Sequence, residues 1–206
     1  AVHPLSNWLA FTFSFDPLAY ADLAAVFLML LVPQLIGTMT GFILLEERDE
    51  QLIGLYAVTP LRKQGYAMYR IALPMGLGFV MAIVFLLTSG IAPMQGENVA
   101  AAVLLALEAP LYALFLAAFA ANKVEGLALS KIVVLTLTGA IAPYFVPEPW
   151  QFIAAFLPTY WPSKLLLEGS AIGDDPLRAM AAFLIGLLTH LAILYSLRRR
   201  LLSRIE

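Results

Sequence analysis

The chain contains no cysteine. That excludes disulfides, cysteine metal sites and thiol nucleophiles within it. Charge is scarce as well. Asp, Glu, Lys and Arg make up 13% of 206 residues, against about 25% in ordinary soluble domains. Hydrophobic residues make up 62%, more than a soluble core of this length can hide. A net charge of −2 gives no reason to expect a nucleic acid partner. There is no G-x-x-x-x-G-K-[ST] phosphate loop, no H-E-x-x-H metal helix and no G-x-S-x-G elbow. His190 has no nucleophile at a fixed spacing and His3 is remote from it, so no metal or catalytic site is expected. The solvent that suits this composition is lipid.

Long apolar runs fill the chain instead. A bilayer-spanning helix takes about 20 mostly apolar residues. Residues 17–45, 67–88, 98–121, 127–146 and 178–197 meet that requirement. The expected fold is an all-α polytopic membrane helix bundle, one transmembrane domain over residues 1–206. Lys131 shortens the uncharged part of the fourth run, so a re-entrant segment is the alternative there. The loops set the orientation. Lys164 and Arg178 fall on one side of the expected bundle and the other ten basic residues on the opposite side. The Lys/Arg-rich side is the cytoplasmic one. This predicts an integral protein of a prokaryotic inner or plasma membrane, with residue 1 outside and a cytoplasmic C-terminus. The first twenty residues have no basic n-region and do not read as a signal peptide. A span preceding residue 1 is the simplest explanation, making these five spans of an expected six; a five-span protein is the alternative.

Residues 147–177 hold Pro147, Pro149, Pro158 and Pro162 among five aromatic residues. An interfacial hairpin in the outer leaflet is expected, with Trp150, Ile153 and Leu157 at helical spacing. A plain anchoring loop is the alternative.

The greatest concentration of charge is Glu46, Glu47, Arg48, Asp49 and Glu50, directly after an uncharged run. Leu52, Leu55, Tyr56 and Thr59 follow at i, i+3, i+4 and i+7, one apolar helical face. A short helix over about 49–59 is expected, with acid at its favourable end and closure at Thr59-Pro60. A helix lying on the membrane surface calls for Lys and Arg beside its apolar face. Acid there favours docking to a protein.

The stretch EERDEQLIGLYAVTPLR resembles the cytoplasmic segment of ABC-2 type transporter permeases. Glu47, Arg48, Asp49, Val58, Thr59 and Pro60 fit that family's pattern, and Gln51-Leu52 departs from its frequent Gly-Thr. Over the whole chain the likeness is to the small drug-export permeases of the fluoroquinolone-export type. The resemblance implies a permease subunit that moves a hydrophobic or amphiphilic substrate out of the cytoplasm. It implies a coupling helix seated in a separate ATP-binding cassette ATPase, touching it through Glu47, Arg48, Asp49, Leu52, Leu55, Tyr56, Thr59 and Pro60. ATP and Mg would belong to that partner, with no cofactor and no catalysis in this chain. A second permease subunit, identical or different, completes the implied assembly.

Gln34, Glu108 and His190 stand out as polar residues well inside the apolar runs. Intramembrane ionisable groups face the bundle or a water-filled path. A substrate or proton path is one reading and hydrogen-bonded packing the other. A proton-coupled secondary transporter using Glu108 and His190 is the alternative function. Gly37 and Gly41 form a Gly-x-x-x-Gly face, suited to a contact within the chain or to a dimer seam.

Overall fold

The computed structural model describes residues 8, 11–12, 17–52, 62–89, 94–172 and 176–205. A 3-10 turn, Pro17–Tyr20, leads into α1, Ala21–Asp49. Then come α2, Arg62–Thr88, and α3, Gly96–Phe119. The fourth run is α4, Lys123–Leu135, a 3-10 segment Thr136–Ala140, and α5, Ile141–Phe145. A 3-10 helix, Trp150–Ala154, precedes α6, Tyr160–Ile172, and α7, Pro176–Ile205. Among the described residues, five helical stretches are long and apolar enough to cross a membrane: Leu18–Asp49, Met68–Thr88, Gly96–Phe119, Lys123–Phe145 and Pro176–Ser203. The protein is a polytopic helical bundle.

α3 is the axis of that bundle. In its apolar stretch 72% of residues are buried, against 22–44% in the others, so the other helices surround it. Its buried face is rich in alanine, including Ala102, Ala106, Ala109, Ala113 and Ala117. Lipid tails are as apolar as leucine, so association within a bilayer depends on close van der Waals contact, which small side chains permit. Three clusters stack along α3. Leu30 and Leu105 centre one, Leu104, Trp161 and Leu165 another, and Leu116, Leu197 and Leu201 the third.

The glycine face lies inside the chain. Gly37 sits against the Ala109 carbonyl oxygen and Tyr112, and Gly41 against Leu116 and Ala113. Both therefore line the α1–α3 seam. On the far side Gly186 of α7 receives Leu104 and Trp161.

α1 runs four residues past the expected end of its span. Near its end the Glu46 oxygen accepts from Glu50 N at 2.9 Å and the Arg48 oxygen from Gln51 N at 3.0 Å. Gln51, at φ 59, then breaks the helix. The acidic run up to Asp49 is therefore the last turn of α1, and Leu52 is helical again after the break. Positive φ is the conformation that glycine takes without strain. The departure at Gln51 from the family's frequent glycine thus falls on the residue where glycine would suit the backbone.

The fourth run tightens to 3-10 geometry where it meets α6. The Thr159 hydroxyl donates to Thr136 O, and Gly139 lies against Thr159 and Tyr160 N. No side chain would fit at residue 139. Beyond it the 3-10 helix sets the exposed edge of the 147–172 segment. In such a helix residues three apart eclipse. Trp150, Ile153 and Phe156 are exposed together while Leu157 turns half inward. The expected Trp150–Ile153–Leu157 face presumed α-helical spacing, and the tighter helix moves its third member by one residue.

A charged clamp holds this end. Buried Lys164 donates to Glu148 Oε1 at 2.8 Å and to Gln151 Oε1 at 3.3 Å, and its ammonium lies 5.3 Å from the Phe152 ring centre. Arg178 of α7 donates to the other Glu148 oxygen. The two cations hold the Glu148 carboxyl below its ordinary value, the Lys164 hydrogen bond contributing most. A lowered carboxylate pKa contributes stability that is complete above the unfolded value, about 4.3, and fades as pH falls through the folded one. Amide exchange in residues 147–165 should therefore accelerate below about pH 4 relative to the rest of the bundle. Glu148→Gln should exchange faster at neutral pH and lose that acid dependence. An acid response that survives in Glu148→Gln would assign it to another group.

Candidate functional site

Besides the Glu148 clamp, two polar groupings among the described residues interrupt the apolar bundle. The first joins the ends of four helices. Glu47 is buried at the end of α1, and Tyr66 and Arg70, one turn apart on α2, both donate to its carboxylate. Arg48 points the other way. Its guanidinium donates to Ala117 O at 3.1 Å and to Ala120 O and Ala121 O at 2.8 Å each. Those carbonyls end α3 and lack helical partners, so the cation meets both their lone pairs and the negative end of the helix dipole. Exposed Glu46 accepts from Lys123 Nζ at 2.7 Å, at the start of α4. The turn between α3 and α4 is a reciprocal cap. Asn122 Oδ1 accepts from Glu125 N at 3.0 Å, and Glu125 Oε2 accepts from Ala121 N at 2.7 Å.

Carboxylates at a helix C-terminus oppose its dipole. Here that cost is offset because Glu46 and Glu47 each meet a cation from another helix. Asp49 is exposed and Leu52 half buried. Leu55, Tyr56, Thr59 and Pro60, together with the rest of the expected coupling helix from residue 53, lie outside the described residues.

The second grouping sits deep in the bundle. Glu108 of α3 and His190 of α7 are fully buried, with Glu108 Oε1 and His190 Nε2 4.0 Å apart. Tyr112, one turn after Glu108, lies 3.0 Å from Glu108 Oε2 and 3.1 Å from Thr136 Oγ1. Thr136 spends its own proton on Val133 O at 2.6 Å. His190 Nδ1 is 2.7 Å from Gly186 O, and a carbonyl only accepts, so Nδ1 carries a proton. His190 Nε2 faces Glu108 Oε1 across 4.0 Å, beyond hydrogen-bond reach, and neither atom has a hydrogen-bond partner among the described residues. Gln34 is buried one turn before Gly37 on the α1 face toward α3, and its Oε1 has no partner among the described residues.

The structure thus brings Glu108 and His190 together and keeps Gln34 on the adjoining seam. It adds Tyr112 and Thr136, which the sequence reading passed over. Tyr112 was reachable from its i+4 spacing to Glu108. Glu108 has no exposed surface, so in this state it cannot touch a substrate. Among the described residues no three His, Cys, Asp or Glu side chains could hold a metal ion.

The comparisons with known proteins bear on what such a bundle is. The family model described as fluoroquinolones export permease protein Rv2686c-like matches residues 1–198. The chain belongs to that family. Two of its relatives are the fluoroquinolones export permease proteins Rv2686c and MT2760 of Mycobacterium tuberculosis, from strains ATCC 25618/H37Rv and CDC 1551/Oshkosh. Each is 25% identical over 172 residues, covering 82% of this chain and 68% of the relative. No solved structure matches. Membership in this export permease family makes the chain a membrane transport protein, in keeping with its spanning helices.

Proposed function

We propose that the chain is the transmembrane permease subunit of an ATP-driven exporter for fluoroquinolone-like amphiphiles, energised through residues 49–60 by a separate ATPase subunit. The observation that carries this reading is the Glu47–Arg48 junction. It ties the base of that segment to the end of the axial helix α3 through Arg48 and to α2 through Glu47. Force applied to the segment by a partner therefore passes directly to two spanning helices. Glu47 and Arg48 themselves are turned inward, which leaves exposed Asp49 and, among the proposed contacts, Leu52, Leu55, Tyr56, Thr59 and Pro60 to meet the ATPase. The ten-to-two distribution of basic residues supports placing the Arg48 end in the cytoplasm. The substrate class comes from the names of the M. tuberculosis relatives. ATP and Mg stay with the partner, and a second permease subunit completes the exporter.

The test is co-purification with the ATPase subunit and transport in proteoliposomes. Leu55→Asp with Tyr56→Asp should weaken ATPase pairing by roughly 100-fold or more, as losing a buried apolar anchor does. Undiminished pairing sinks the assignment. One observation favours a second reading: two ionisable groups, Glu108 and His190, are fully buried 4.0 Å apart, and such a pair suits a proton-coupled carrier. The same proteoliposomes separate the two. Transport by the permease alone, driven by a pH gradient and abolished in Glu108→Gln, would establish the carrier.

A further inference from the structure

The Arg48 end of the bundle also holds Arg198, Arg199 and Arg200, consecutive on α7 and exposed. The carboxylates nearby are spent elsewhere, Glu46 on Lys123 and Glu47 on Arg70. Among the described residues no carboxylate pairs with the three arginines. Two of them line a cleft of about 430 Å³ between α7 and the end of α3. Its lining is Phe119, Ser196, Leu197, Arg199, Arg200 and Ser203. The guanidinium carbon of Arg200 lies 4.1 Å from the Phe119 ring centre, which fixes that cation over an aromatic wall. Phe115 extends the wall, its ring 5.1 Å from that of Phe119.

The hydroxyls in the cleft are committed. Ser196 donates to Ala192 O at 2.8 Å and Ser203 to Arg200 O at 2.9 Å. The free donors are therefore the two guanidiniums, whose planar forks match phosphate oxygens. One helical step below the cleft the same side of α7 is exposed and apolar at Ala192 and Leu188. That surface continues into the part of α7 that spans the membrane. A molecule filling the cleft would thus meet cations at its head and hydrocarbon-facing surface along its tail.

We propose that the cleft between the end of α3 and α7 binds an anionic phospholipid, with the phosphate on Arg199 and Arg200 and an acyl chain running along Leu188 and Ala192. Basic clefts between spanning helices at a membrane surface recognise phosphate headgroups by this combination of charge and hydrocarbon contact. Lipid is the occupant favoured over a soluble anion, because a soluble anion leaves the aromatic wall and the Leu188–Ala192 surface unused. Arg198 belongs to the same cluster but does not line the cleft. It therefore distinguishes a site from diffuse positive charge.

Native mass spectrometry of the purified protein, equilibrated with phosphatidylglycerol and phosphatidylcholine in detergent, tests this. Wild type should retain phosphatidylglycerol on the order of tenfold better than phosphatidylcholine. Arg199→Gln with Arg200→Gln should remove that preference, and Arg198→Gln should leave most of it. These side chains are exposed, and an unchanged melting curve in lipid-free detergent checks that the variants fold. Equal retention of both lipids overturns the proposal, as does an unaffected preference in the double variant. An equal loss in Arg198→Gln would make the attraction diffuse rather than a site. Displacement of the lipid by millimolar inorganic phosphate would assign the cleft to a soluble anion.

Discussion

Glu47→Ala should destabilise the bundle by about 3 kcal/mol, because it leaves Arg70 without its carboxylate in a largely enclosed position. The side chains are 11% and 16% exposed, so bulk water screens the pair poorly. Tyr66 loses its acceptor in the same change. Most of that cost belongs to the group left behind, so removing both charges should cost less than removing one. Glu47→Leu combined with Arg70→Leu should recover more than half of the loss. Urea or heat unfolding in a fixed detergent, run as a double-mutant cycle, measures this. A double variant as unstable as Glu47→Ala alone would mean that the pair is not coupled.

Gly37→Leu should be comparably damaging for a different reason. A Cβ at residue 37 would stand 2.9 Å from Tyr112 Cβ and closer still to the Ala109 carbonyl oxygen. Neither atom sits at the end of a flexible side chain, so α1 and α3 must move apart. Overpacking of a rigid contact costs about 1–3 kcal/mol, and a leucine against backbone belongs at or above the top of that range. Gly76 supplies the control. Nothing lies within 4 Å of its added Cβ, and it is exposed on α2. Gly76→Leu should be neutral or slightly stabilising, since glycine is the poorer helix former by up to about 1 kcal/mol. Equal unfolding midpoints for the two variants would refute the tight seam. Gly37→Leu should also disturb Tyr112, and with it the hydrogen bond to Glu108.

The spans were legible because twenty apolar residues in a row have few other structures open to them. Their ends were less so. Charge stops an apolar run, and residue 45 looked like the end of the first span. Yet Glu46 to Asp49 remain helical because Arg70 lies 23 residues from Glu47 and Lys123 lies 77 from Glu46, too distant for any local pattern to register. The 3-10 geometry at Trp150–Ala154 was hidden for a related reason. Its residues fit an α-helical spacing equally well, and packing against α6 decides between the two. In the candidate site, Gln34, Glu108 and His190 stood out as polar residues in apolar surroundings. Their company did not. A tyrosine in an apolar run passes for a hydrophobic residue, and Thr136 became a partner only where the fourth run tightened. Arg48 looked like one of a group of surface charges, because nothing local marks the end of α3 as its destination.

The Arg48 contact carries a consequence for how the protein is made. The acceptors lie 69, 72 and 73 residues further along the chain. At about 5–20 residues per second, the ribosome needs roughly 4–15 seconds to reach them after Arg48 has been added. During that interval α1 has its glycine face but no α3 to receive it. The same delay separates Glu46 from Lys123. The end of α1 therefore has to be made before any of the groups that neutralise it, and its junction can close only after α3 and the start of α4 have followed.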